Sequence, residues 1–540
     1  MKRYQLLLLS FVSGLVLSFG WPAHGFAPLL FIGFVPLLLI ENYFWENRDG
    51  NSRFSIFWYI FIAFLTWNIL TTYWIYNSTL EGAIAAIFLN SLFMTIVFTL
   101  FHITRRNLKP GIHSYMAMVA YWLTFEYIHL HWDLNWPWLN LGNGFANFHQ
   151  WIQWYEYTGA FGGSLWILIV NIFLFLAAKD LQESRRPGKS FYTNILVASV
   201  LIILPLIASL FIYSNYHEKE APISVVVVQP NIDPYKEQYN APPKEVLGRI
   251  LKLANQKTDS LTDYIVAPES AIQEYVWEDQ IELSESVGII KQYISRHKHA
   301  SIIIGISSRK IYEPGDNLPL TARKFSDVDK YYDSYNTALF CDSGSRLQRY
   351  HKSRLTPGVE MMPYPKLFKF TEKYAIDLGG TVGSLATDPE RTPFMSSNGL
   401  KIAPTICYES VYGEFIAEFV RNGANAIFVI TNDGWWGNTP GHRQHFLFSV
   451  LRAIETRRSF ARSANTGISA FINQRGDVSQ ATAYWVPAVI KQTINTNNTL
   501  TFYVRYGDYI ARISMLVAAL MLLLTISNGI LKRSLKLKQK

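Results

Sequence analysis

The chain has 540 residues, of which 50% are hydrophobic, 15% aromatic and 16% charged, whereas an average soluble domain carries about 25% charged residues. That balance excludes an ordinary water-soluble enzyme and points to a membrane protein with a soluble part. The net charge of +9 does not amount to a nucleic-acid footprint. Much of the basic excess sits in short loops and the C-terminal tail, where topology and anionic lipid favour it, and no basic-aromatic stripe accompanies it.

A membrane-crossing helix needs roughly 20 mostly apolar residues. Apolar runs at about 4–20, 27–45, 56–76, 83–104, 115–131, 159–178 and 193–214 predict seven such helices, and a run at about 509–531 predicts an eighth. Trp21 and Phe26 after the first run fit an interface anchor better than a cleaved signal peptide. Lys2, Arg3, Arg48, Arg53, Arg105, Arg106, Lys109, Lys179, Arg185, Arg186 and Lys189 fall in alternate loops, and the loop from Trp132 to Thr158 has no Lys or Arg. The positive-inside rule makes the basic loops cytoplasmic. With eight spans the tail bearing Lys532, Arg533, Lys536, Lys538 and Lys540 falls on the same side. The expected organisation is a seven-helix membrane domain (1–214), an extracytoplasmic domain (215–508), and a C-terminal helix with a basic cytoplasmic tail (509–540). Charges within the apolar runs, the usual mark of transport, are few; Glu126 is the main one.

The middle region reads as short strands alternating with helices at about 244–257, 279–297, 411–422 and 443–457, an α/β layered domain. "DYIVAPES" is a buried strand broken by Pro268 that delivers Glu269 at its carboxyl end, and "SIIIGISSR" is a second strand. "YNTALFC" and "RLQRYHK" form a hairpin about a Ser-Gly-Ser turn; the second arm delivers Lys352, and "SRLTPGVE" brings Glu360 eight residues later. "LKIAPTIC" is a strand ending at Cys407, followed by the helix "GEFIAEFVRNGA" with Ile416, Phe419 and Val420 on one face. "NAIFVITNDGWWG" and a hairpin about "NQRGD" complete the series.

The chain holds two cysteines, too few for a disulfide framework, although a single bridge is open to them. Cys341 precedes a turn, where a small buried thiol suffices. Cys407 has a strand before it and a helix after it, the layout of a nucleophile elbow. The layout alone suits inert packing equally well; a nucleophilic thiol also needs a base or a cation. Glu269 and Lys352, each at a strand end, supply those types.

On the stretches "VVQPNID", "APESAI", "YNTALF", "YHKSRLTPGVE", "ICYES", "TNDGWWG", "HRQHFLFSVLRAIETRRSFARSANTG" and the membrane-side "WPWLNLG", the chain resembles the nitrilase superfamily of carbon-nitrogen hydrolases. Within it, the membrane frame is similar to that of the apolipoprotein N-acyltransferases. The resemblance implies an αββα sandwich attached to about eight transmembrane helices, and a Glu269, Lys352 and Cys407 triad. Glu269 would be the general base; Lys352 would stabilise an oxyanion and lower the thiol pKa. Glu360 would support the lysine or share the proton work, Glu409 would orient neighbours, and the Tyr408 N–H would join the oxyanion hole. Asn336 and Asn432, read as strand-end residues, are candidate substrate amides. Trp435 and Trp436 are candidate acyl-chain contacts. Where the family has a tryptophan after "VVQPNI", this chain has Tyr235 and Tyr239, and Tyr239 is the candidate platform.

The implied reaction passes an acyl chain from a phospholipid through a thioester on Cys407 to the α-amine of a diacylglyceryl-cysteine on a lipoprotein. The implied setting is the bacterial inner membrane, with the catalytic domain periplasmic. No cofactor or metal is expected, since no metal-ligand spacing or phosphate-cradling loop occurs. Nucleic acid is not an expected partner, and no heptad run suggests assembly beyond a monomer. Two alternatives stand beside this: a membrane-tethered amidase whose same triad gives the thioester to water, and a polytopic sensor or transporter whose outer domain has lost catalysis.

Overall fold

In a hydrocarbon solvent every backbone polar group must be satisfied within its own segment, so long apolar sequence there becomes helix. The computed structural model describes residues 1–108, 111–344, 346–365 and 384–538; Lys109 and Lys540 lie outside them. The first of two units comprises Met1–Asn215 and Tyr506–Lys540. Among the described residues, six of its segments are long and apolar enough to cross a membrane: Ala27–Glu46, Phe57–Asn77, Leu80–Asn107, Tyr155–Ser184, Lys189–Asn215 and Tyr509–Lys532. Length and composition thus confirm six of the expected eight spans among the described residues. The helix Arg3–Phe19 has 17 residues, or about 25 Å at 1.5 Å per residue, short of a hydrocarbon core of about 30 Å. Ile112–His129 is a helix of 18 residues, but its two histidines, Glu126 and hydroxyl-bearing side chains dilute its apolar character.

Charges inside this unit are more numerous than the sequence reading allowed. Glu126 accepts from Leu141 N (2.7 Å) and Trp122 Nε1 (3.0 Å). Glu41, fully buried, pairs with the Arg105 guanidinium and with His102 Nδ1 at 2.8 Å. Trp45 and Tyr115 stack on Arg105, each with the guanidinium carbon 4.5 Å from the ring centre. Buried charges of this kind persist only when paired.

The second unit, Tyr216–Arg505, follows from its strand pattern. β1 (Pro222–Gln229) and β10 (Ala426–Thr431) are near-continuous apolar runs buried on both faces, as strands inside a sheet covered on both sides must be. Around β1 lie β2 (Tyr264–Val266), β3 (Ile272–Trp277), β4 (Ser301–Tyr312), β5 (Arg323–Lys324), β6 (Tyr331–Cys341), β7 (Leu347–His351) and β14 (Ala488–Asn495). They form a sheet in the order β14-β1-β2-β4-β6-β5, with β3 on β4 and β7 on β6. A second sheet runs β13 (Val478–Ser479), β12 (Ala470–Ile472), β11 (Phe460–Ala464), β10, β9 (Lys401–Ile406), β8 (Phe394–Met395).

Parallel neighbours need crossover connections. Helices Pro243–Ala254 and Glu285–Ser295 supply them around β1, β2 and β4, and Gly413–Arg421 and Pro440–Thr456 around β9, β10 and β11. The sheets meet face to face, with Tyr264 edge-on to Phe428 (5.3 Å) and Ser463 Oγ donating to Val228 O (2.7 Å). The helices cover the outer faces, the first pair packing its apolar stripe on the first sheet. The result is an αββα sandwich.

Gly305 in β4 has a specific purpose. A Cβ there would lie 2.4 Å from Ser270 N and 2.6 Å from Glu269 Cα, so a side chain would displace the segment that presents Glu269.

Candidate active site

The carboxyl ends of parallel strands are where open α/β sheets bind ligands, and three candidate residues emerge there: Glu269 three residues beyond β2, Cys407 directly after β9, and Asn432 directly after β10. Lys352 follows β7, whose hairpin with β6 carries it toward the same place. Its backbone N donates to Asn336 O at 2.8 Å.

Lys352 is 2% exposed and joins two carboxylates, donating from Nζ to Glu269 Oε1 (2.9 Å) and Glu360 Oε1 (2.8 Å). Burial alone would lower its ammonium; the charges of Glu269 and Glu360 outweigh that and hold it well above the usual lysine range. Asn336 Nδ2 donates to the same Glu269 oxygen at 2.7 Å and to Glu360 Oε1 at 3.3 Å. The other Glu269 oxygen accepts from Asn432 N at 3.1 Å. Glu360 Oε2 is held by Thr356 N at 2.9 Å.

Cys407 leaves its strand with φ 50°, a left-handed conformation that costs a non-glycine residue on the order of 1–3 kcal/mol unless its surroundings fix it. Cys407–Val411 is a 3-10 turn, and the helix Gly413–Arg421 follows, so strand, sharp turn and helix come in the order expected of an elbow. Burial, and next the charge of Glu269, push the thiol well above its usual range, with Lys352 opposing. The net direction is the reverse of the lowering expected from Lys352 alone: this thiol rests protonated.

Glu409 ties the elbow to the lysine loop. Its Oε2 accepts from Ile406 N (2.8 Å), its Oε1 from Ser353 N (2.6 Å) and Tyr350 Oη (2.7 Å). Burial pushes its carboxyl up to about 7 against those donors. The Tyr408 ring is buried, edge-on to Tyr412 at 5.3 Å.

Asn336 lies in the interior of an eleven-residue strand, not at a strand end, and its amide is engaged with the carboxylates. Asn432 is at its strand end, but its Nδ2 donates to Gln238 Oε1 at 2.6 Å. Burial and the Glu269 charge push the Tyr239 hydroxyl far above its usual range, which places that ring beside the acidic site. Tyr239 is 6.4 Å and Tyr235 5.2 Å, centre to centre, from Trp435. Trp436 stands edge-on to His445 at 5.4 Å instead.

Two polar sets escaped the sequence reading. His351, next to Lys352, lies between Glu278 (2.6 Å from Nε2) and Asp388 (3.0 Å from Nδ1). Burial lowers its pKa, but Asp388 and Glu278 outweigh this and raise it to about 9. Asp433, His445 and Arg462 are fully buried beside Cys407. Burial lowers the His445 imidazole, while Arg462 and His445 together hold Asp433 well below the carboxylate range against burial. The signal for the second set was a charged residue inside an otherwise buried strand, Arg462 in "FARSA". Ligand atoms of Cys407, Asp433 and His445 lie within 4.8 Å of one another, as a metal site requires. Arg462 Nη2, however, sits 2.7 Å from Asp433 Oδ2 and 3.0 Å from His445 Nδ1, so a cation already faces those acceptors.

Residues 13–173 match the family model of the apolipoprotein N-acyltransferase N-terminal domain, and residues 224–500 match that of carbon-nitrogen hydrolases. The chain is 28% identical over 530 residues to an apolipoprotein N-acyltransferase of Chlorobaculum tepidum, covering 95% of each chain. With one from Geobacter metallireducens it shares 26% over 518 residues, 93% of this chain and 92% of the other. Among solved structures, Saccharomyces cerevisiae Nit3, a nitrilase-superfamily member, aligns at 17% identity and a TM-score of 0.36, covering 51% of this chain and 90% of that one. The hydrolase match takes in more than half of the sequence, and the chain belongs to the carbon-nitrogen hydrolase family, here preceded by an apolipoprotein N-acyltransferase N-terminal domain.

Proposed function

We propose that this membrane-associated acyltransferase N-acylates lipoproteins, with Cys407 as the acyl carrier. The pairing of the two matched domains and the relatives that share them over nearly the whole chain support the activity. The observation that carries the site is the convergence of Glu269, Lys352 and Cys407 at neighbouring strand ends, with Lys352 hydrogen-bonded to Glu269 and its charge felt by the Cys407 thiol.

A protonated resting thiol suits a general base that acts as the bond forms. Glu269 takes the Sγ proton while Sγ attacks the ester carbonyl of a phospholipid. Lys352 Nζ and the Tyr408 N–H receive the oxyanion charge. Collapse breaks the ester C–O bond; the leaving oxygen takes the proton from Glu269 and departs as lysophospholipid, leaving a thioester. The α-amine of a diacylglyceryl-cysteine then attacks that carbonyl, Glu269 receives the amine proton, and the thiolate leaves and regains it. Glu360 and Asn336 hold Lys352 and Glu269 in place, Glu409 fixes the elbow to the lysine loop, and Asn432 fixes Glu269 through its backbone. Tyr235, Tyr239 and Trp435 form an aromatic surface for the acyl chain or acceptor, with Trp436 packed on His445 beside it. The chain works as a monomer in the bacterial inner membrane. Residues 1–214 and 509–540 form its membrane part, and 215–508 its catalytic domain on the periplasmic side.

The test is direct. Purified protein is incubated with phospholipid labelled in its acyl chain, and an adduct on Cys407 removable by hydroxylamine is sought by mass spectrometry. A diacylated lipopeptide is then added. Transfer of label to the lipopeptide amine supports the reading; no adduct, or an adduct discharged only to water, refutes it.

A further inference from the structure

The direction of the Tyr408 N–H is set by the peptide that joins it to Cys407. That peptide is planar, so whatever fixes its carbonyl oxygen also fixes its N–H. Cys407 O accepts from Ser410 Oγ at 2.8 Å and lies 3.0 Å from His445 Nε2. Nε2 also lies 3.0 Å from Ser410 Oγ, whose one proton goes to Cys407 O; a carbonyl only accepts and the Arg462 guanidinium at Nδ1 only donates, so the ring proton sits on Nε2. On the other side of the ring, Nδ1 lies 2.9 Å from Asp433 Oδ1 and 3.0 Å from Arg462 Nη2, and Arg462 binds Asp433 Oδ2 at 2.7 Å. Thr431 Oγ1 donates to Asp433 Oδ1 at 2.8 Å. His445, Asp433 and Arg462 are all at 0% exposure, and Trp436 stands edge-on to the imidazole.

We infer that His445, oriented by Asp433 and Arg462, is a positioning residue that pins the Cys407–Tyr408 peptide and so aims and strengthens the Tyr408 N–H as an oxyanion donor. Two donors on the carbonyl polarise the same amide, and chained hydrogen bonds strengthen one another. They also hold Cys407 at its positive φ, which sets where Sγ points. His445 lies near the thiol, but its Nε2 proton is directed at the backbone carbonyl, which leaves the base role to Glu269. The inference rests on the acyl-transfer reading of Cys407.

The test uses the full-length protein with labelled phospholipid, following thioester formation against lipid concentration for wild type, His445→Ala, His445→Gln and His445→Asn. Loss of a fixed oxyanion donor typically costs about 10²–10³ in rate; loss of its positioning group is expected to cost about 10–100-fold in the maximal acylation rate. The half-saturating lipid concentration should stay within about twofold. A Gln amide nitrogen can stand in for Nε2 and keep the bond to Cys407 O, whereas an Asn nitrogen stands in for Nδ1. Gln is therefore expected to recover most of the loss, and Asn little.

An Ala variant acylated at the wild-type rate overturns the inference. So does equal damage from Gln and Asn, the pattern of a purely structural histidine. If the Ala variant does not fold, the Gln-to-Asn comparison alone decides by the same criterion. A wild-type protein that forms no thioester overturns the acyl-transfer reading and this inference together; normal wild-type acylation with insensitive variants overturns only this one.

Discussion

Lys352→Met removes the charge from the site while keeping a chain of similar length. In the native site Glu269 Oε1 and Glu360 Oε1 both touch Nζ, at 2.9 and 2.8 Å, which puts the two oxygens at most about 6 Å apart. Two unit charges at that separation repel by about 3 kcal/mol at an effective dielectric of about 20. Without the cation that repulsion is uncompensated, and breaking a buried pair costs about 3–5 kcal/mol of stability. The expected result is a lower melting temperature and a loss of thioester formation of about 10²–10³-fold or more. The assay is intact-protein mass spectrometry over time, with thermal melts in the same detergent. Lys352→Met/Glu360→Gln separates the two effects: removing the second carboxylate restores much of the stability and none of the acylation. Acylation by Lys352→Met within about tenfold of wild type, or a double variant no more stable than the single, would refute the reasoning.

Glu409→Gln places an amide NH2 against at least one of the donors Ile406 N, Ser353 N and Tyr350 Oη. It should cost about 1–3 kcal/mol and slow acylation by loosening Cys407 and Lys352 together, read by denaturant melts and thioester kinetics. His351 has a folded pKa raised from 6.5 to about 9, so its contribution is fully present below pH 6.5 and is lost as pH rises through 9. The limit is about 3 kcal/mol. Melts from pH 6.5 to 9.5 should show this decline in wild type and a much flatter line in His351→Asn; parallel lines would refute it. Gly305→Ala forces a methyl against Ser270 N and Glu269 Cα, a clash expected to cost about 1–3 kcal/mol and to depress acylation beyond what the loss of folded protein explains. Normal activity per folded molecule would show that the Glu269 segment is not constrained there.

Hydropathy and charge were enough to separate a helical membrane part from an α/β part, because both are local properties of the chain. Eight spans are not confirmed by length and composition, because a run such as Ile112–His129 is apolar in outline but carries Glu126 and histidines. Hydropathy and charge also missed Glu41 and Arg105, whose 64-residue separation conceals a pair that only helix packing brings together. The strand ends bearing Glu269, Lys352 and Cys407 were legible because each follows an apolar run and a break. Asn336 was misread as a strand-end residue because "YNTALFC" continues a strand that begins at Tyr331. Its place beside Lys352 depends on the pairing of β6 with β7, a non-local register.

The direction of the Cys407 shift and the aim of its peptide were likewise settled only by the fold. A thiol pKa follows from how much water burial removes and which charges surround the group, and those charges come from β2, β7 and β10. His445, 38 residues from Cys407, reaches its carbonyl because the helix Pro440–Thr456 crosses back over the second sheet. Sequence thus determined which chemical groups the strands present, since strand, turn and residue type are written side by side. Tertiary structure decided their ionisation and orientation, because both depend on neighbours that are distant along the chain.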